Sequence, residues 1–163
     1  MVDDLYELLQ VVAPKSTRLV FVAASIGVHV ARLYADKHPG SVEGLLFLDS
    51  NLSNAEFTDL WPNPHAADFQ PSDVVGEDCT LEQYIGEYTR LGMIFNSDVK
   101  NAEGLDRRSA KNLLPNPSAP KLKGPEGKGP YLIVAGHDPE FFVEDSFEKM
   151  KTPKSISRKY TQP

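Results

Sequence analysis

The stretch from Arg18 to Asp49 limits what this chain can fold into more than any other. Leu19-Val20-Phe21-Val22-Ala23 is short, unbroken and rich in β-favouring residues, which is how a strand buried on both faces of a parallel sheet reads. After Ser25 the period changes. Ile26, Val30, Leu33 and Tyr34 fall at i, i+4, i+7 and i+8, one face of a helix, with Arg32, Asp36 and Lys37 away from it. Pro39 and Gly40 stop that helix, and Val42-Glu43-Gly44-Leu45-Leu46-Phe47-Leu48 reads as the next strand. Strand, sharp turn, helix and strand form a βαβ unit, whose two strands run parallel with a right-handed crossover.

Ser25, at the strand-to-helix turn, has two readings. Serine is among the preferred helix N-caps. It is also the residue of a nucleophile elbow, x-x-Ser-x-Gly, where a strained turn lifts the hydroxyl above the sheet and small flanking residues let strand and helix approach. Gly27 fits that pattern; Ala23, where glycine is usual, departs from it but is small.

A helix is predicted ahead of this unit, with Leu5, Leu8, Leu9 and Val12 on one face, Asp3 and Asp4 suited to its first turn, and Pro14 ending it. After Asp49 the pattern loosens. A short helix is expected over Asn54–Trp61. A longer one follows, opened by a Thr80/Gln83 capping box and carrying Leu81, Tyr84, Ile85, Tyr88, Leu91 and Phe95 as an apolar stripe. A third is expected over Asp106–Leu114. Pro115, Pro117, Pro120, Pro125 and Pro130 then make a linker to Tyr131-Leu132-Ile133-Val134-Ala135, a third buried strand. Beyond Gly136-His137-Asp138 lies a helix carrying Phe142, Val143, Phe147 and Met150, with Asp138 as N-cap and Pro139 at its first position. Ser155–Tyr160 reads as a marginal strand or a solvated basic end.

Two pieces, residues 18–50 and 129–150, resemble the α/β-hydrolase family in order and spacing. The resemblance implies an α/β fold: a partial α/β-hydrolase core of about three parallel strands with flanking helices (1–50 and 129–163), and a helical cap and linker inserted over 51–128. It further implies a serine hydrolase acting on an ester or related acyl bond of a small molecule. Ser25 would be the nucleophile and the Ile26 N–H an oxyanion donor. Gly136-x-Asp138 stands where the family commonly places the triad acid, and Asp49, closing the preceding strand, stands where some members place it. Phe57, Trp61, Tyr84, Tyr88 and Phe95 could line a pocket under a cap, but such residues are more often packing, and none is assigned to substrate.

The general base is the missing element. In family order a histidine follows the acid, yet the four present are His29, His38, His65 and His137, none of them after Asp138. His137 comes nearest to a substitute, although neighbours in extended chain point opposite ways. The expectation is a fragment truncated at both ends, inactive alone for want of that histidine. Its alternatives are a non-catalytic ligand-binding protein of the same fold and an incomplete gene product.

Composition narrows the field further. A net charge of −6 disfavours nucleic acid and anionic membrane as partners. No apolar run approaches the ~20 residues of a membrane span, and the acidic opening does not read as a signal peptide. The single Cys79 permits no internal disulfide and fits a reducing, cytoplasmic setting. Neither a Gly-x-Gly-x-x-Gly turn nor a Cys/His cluster points to a nucleotide cofactor or a metal.

Overall fold

A computed structural model describes residues 1–15, 18–49, 60–95, 98 and 106–161. The helix expected over Asn54–Trp61 falls almost entirely outside them, as does Phe57. The chain divides into two compact units, Met1–Asn54 with Ser109–Gly136, and Ala55–Arg108 with His137–Pro163.

The first unit contains α1 (Val2–Val12), β1 (Leu19–Ala24), α2 (Gly27–Lys37), β2 (Val42–Leu48), the one-turn α4 (Ala110–Leu113) and β3 (Tyr131–Ala135). Its three strands are all parallel, in the order β1-β2-β3. Side chains alternate across a sheet, and the set Phe21, Ala23, Leu45 and Phe47 faces a core closed by Val28, Ala31, Tyr34 and Ala35 of α2, with Val2, Leu5 and Leu9 of α1 packed against it.

Both helices are rotated from the expected stripes. On α2 the small Ala31 and Ala35 meet the sheet, while Ile26, Val30 and Leu33 are only half-buried. On α1, Leu8 and Val12 stay exposed. Arg32, expected off the apolar face, is only 3% exposed. Its Nη2 donates to the carbonyls of Asn116 (3.0 Å), Pro117 (3.2 Å) and Ala119 (2.7 Å), tying the proline-rich segment to α2.

The strands also depart from the expected burial. β1 and β3 read as buried on both faces, yet Val20 and Val22 are exposed, and so is every residue of β3. The helices α1 and α2 cover one face of β1 and β2 and leave both faces of β3 open; the apolar run reports what each side chain is, not what lies over it.

The second unit contains α3 (Leu81–Phe95), α5 (Pro139–Met150) and α6 (Lys154–Thr161). The capping box opens α3 as read: the Thr80 N–H donates to Gln83 Oε1 (2.9 Å) and the Gln83 N–H to Thr80 Oγ1 (3.2 Å). Trp61, Cys79, Tyr84, Leu91 and Ile156 form this unit's own core, with Phe69, Val74, Val75 and Tyr88 against it. Trp61, Tyr84 and Tyr88 are therefore packing residues. Residues 155–160 are helical, not a strand or a solvated end. The Ile156 and Ser157 N–H groups donate to the Pro153 carbonyl (3.0 and 3.1 Å), Ile156 enters the core, and Lys154 and Arg158 pair with Glu144 and Glu140 of α5. Close approach fixes the α6 start: a Cβ at Gly76, where φ is +83°, would lie 2.2 Å from Ser155 Cβ. The helix expected over Asp106–Leu114 shortens to the single turn of α4.

Candidate active site

β1 ends at Ala24 and α2 begins at Gly27, leaving two residues to reverse the chain direction. Ser25 does so with φ +51°, a left-handed conformation that a non-glycine residue adopts at a cost of order 1 kcal/mol. The N-cap of α2 is Ile26, in the right-handed helical region (φ −59°, ψ −21°), so Ser25 is not the capping residue. Instead its carbonyl accepts from the Val28 N–H at 3.1 Å, which tightens the turn. The side chain is exposed at the carboxyl edge of the sheet. On the two sides of the turn, a Cβ built at Gly27 would sit 3.8 Å from Ala23 Cβ, ordinary contact. The methyl of Ala23 thus faces Gly27 across the turn.

Asp49 repeats this geometry one strand over. Ala24 and Leu48 are register partners, so Ser25 and Asp49 leave neighbouring parallel strands side by side. Asp49 also has positive φ, +42°, and its N–H donates to the Ala135 carbonyl at 2.7 Å, extending the β2–β3 ladder by one bond. Aspartate tolerates this region better than most residues. Its place beside Ser25 follows from strand register, which no local sequence signal encodes.

Asp138 belongs to the second unit and caps α5, its Oδ1 accepting from the Phe141 N–H at 2.9 Å. Pro139 takes the first helical position, as the sequence suggests.

The four histidines are scattered. His29 lies in the first turns of α2, half-buried. His38 is stacked on Tyr6 (4.3 Å between ring centroids, 3° between planes) and tilted against Tyr34 (4.6 Å). His65 is exposed, edge-on to Tyr88 at 6.1 Å. The His137 ring is stacked on Phe142 at 4.4 Å. Among the described residues no group of three or more His, Cys, Asp or Glu could hold a metal ion, and no helix is long and apolar enough to cross a membrane.

No protein-family model, no curated protein and no solved structure matches the chain.

Proposed function

We propose that the chain carries the nucleophile of a serine hydrolase of the α/β-hydrolase type, acting on an ester or related acyl bond of a small molecule. The observation that carries this reading is Ser25: an exposed serine with φ +51°, at the carboxyl end of a parallel strand and one residue before a helix N-cap. A strained strand-to-helix turn of this kind is the geometry of a nucleophile elbow. The insertion between β2 and β3 is read as the cap of such an enzyme.

In the proposed reaction Ser25 Oγ attacks the acyl carbonyl while a base takes its proton. The Ile26 N–H stabilises the tetrahedral oxyanion, and the leaving alkoxide departs with that proton. Water then cleaves the acyl-enzyme by the reverse path. The carboxylate that orients the base is assigned to Asp138, with Asp49 as the alternative. The base itself is assigned to a histidine outside this chain, because family order puts it after the acid and His29, His38, His65 and His137 all precede Asp138.

Free imidazole can stand in for the absent base. The test is hydrolysis of an activated ester, with labelling by a fluorophosphonate, in rising imidazole. Rates above the imidazole background in the wild-type chain, and lost in Ser25→Ala, are expected. Identical rates in the two proteins would overturn the assignment.

A further inference from the structure

β3 is joined to its unit differently from β1. Phe21 and Ala23 tie β1 into the core that α2 closes. β3 puts no side chain into that core: Leu132 and Val134 are 54% and 51% exposed on one face, Tyr131 and Ile133 80% and 63% on the other. What holds β3 is the backbone ladder to β2, from Gly44 and Tyr131 to Leu48 and Ala135, continued by the bond from the Asp49 N–H to the Ala135 carbonyl. The chain ahead of it is anchored. Arg32 holds the carbonyls of Asn116, Pro117 and Ala119, Leu122 packs on the core, and the Gly40 N–H donates to the Lys123 carbonyl at 2.8 Å. Between that anchor and β3, residues 126–129 are exposed and offer a hinge. Few buried apolar contacts together with solvent-exposed backbone bonds mark the segments that open first.

We infer that β3 is a detachable strap, which leaves β2 as one piece by pivoting between Lys123 and Tyr131 while β1, β2, α1 and α2 stay folded. Leu45 and Phe47 keep their place in the core when it goes, because none of their buried neighbours there comes from β3. The same motion takes the Ala135 carbonyl away from the Asp49 N–H, so the carboxyl edge beside Asp49 opens together with the strap. This opening is a property of the sheet and is independent of the chemistry assigned to Ser25.

Native-state hydrogen exchange on the full chain, read amide by amide by NMR, tests the inference. Along a central strand the backbone N–H groups point alternately to the two neighbouring strands. The Asp49 N–H points to β3, and those of Phe47 and Leu45 therefore do too, whereas those of Leu46 and Leu48 point to β1. Leu45, Phe47 and Asp49 are expected to exchange together, ~100-fold faster than Leu46 and Leu48. Equal protection of the two sets overturns the inference, because the sheet would then open only as a whole. Ile133→Pro removes an N–H from the β2–β3 ladder and should hold the strap open. In that variant Leu45, Phe47 and Asp49 should lose their protection while Leu46 and Leu48 keep theirs. Loss of protection at Leu46 and Leu48 as well would make β3 part of the cooperative core and overturn the inference. Unchanged protection of Asp49 would overturn it too.

Discussion

Ser25 and Asp49 occupy equivalent places on adjacent strands: each is the first residue beyond a strand's carboxyl end, each has positive φ, and the residues before them, Ala24 and Leu48, are register partners. Two strained non-glycine residues side by side at one sheet edge are costly in local terms. Such strain persists only where the surrounding structure imposes it, and it clusters at functional sites.

If the Ser25 backbone is strained, glycine should relieve it and alanine should not. Ser25→Gly is expected to be more stable than Ser25→Ala by roughly 0.5–1 kcal/mol, the left-handed penalty less the added flexibility of glycine in the unfolded chain. Urea denaturation followed by circular dichroism measures the difference. Equal stability of the two variants would mean that the turn holds no strain.

Asp138 has a structural task that can be separated from a catalytic one. Asp138→Ala should cost about 1 kcal/mol through loss of the bond from the Phe141 N–H, whereas Asp138→Asn keeps a capping oxygen and should melt close to wild type. A drop in imidazole-rescued hydrolysis in the asparagine variant, at unchanged stability, would assign the acid here. The same loss in Asp49→Asn alone would assign it to Asp49.

Arg32→Met removes the donor from three carbonyls, those of Asn116, Pro117 and Ala119, around a buried guanidinium. Leaving them unsatisfied should destabilise the first unit by about 2–3 kcal/mol, with faster proteolysis within residues 115–123. Wild-type protease resistance in this variant would show that the tie is dispensable.

Alkaline pH should act on the second unit through Tyr84. Burial, with smaller contributions from Tyr88, Asp73 and Cys79, raises its phenol from the ordinary value of 10.0 to about 12. The folded state therefore holds the proton more tightly than the unfolded one. The resulting stability is fully present below pH 10 and is lost as pH rises through 12. Tyr84→Phe should flatten the pH dependence of the unfolding midpoint over that interval. It should also lower stability at neutral pH through loss of the 2.8 Å bond to the Pro62 carbonyl. A midpoint with the same alkaline slope in both proteins would exclude Tyr84 as the titrating group.

What the residues reveal in advance depends on how local the cause is. The β1–α2–β2 unit was legible because its hydrophobic period switches abruptly at Ser25. The Asp138 cap and the Thr80/Gln83 box were legible because each joins residues only three apart. The burial of Arg32 is not legible locally, because it depends on carbonyls more than 80 positions downstream. Helix α6 does not announce itself in the sequence, because its polar composition outweighs one buried isoleucine and its start rests on Pro153 and on the close approach of Gly76. The pairing of Ser25 with Asp49 depends on strand register, so it emerges only once the sheet exists.

Because space follows chain order in this sheet, assembly has a direction. The β1 and β2 segments can meet by closing a short crossover, as soon as both have left the ribosome. β3 must wait for everything between Leu48 and Tyr131, an extra closure penalty of about 1 kcal/mol. Only when β3 arrives does the Asp49 N–H find the Ala135 carbonyl. The carboxyl rim beside Asp49 can thus close only once β3 has been synthesised, later than the β1–β2 crossover.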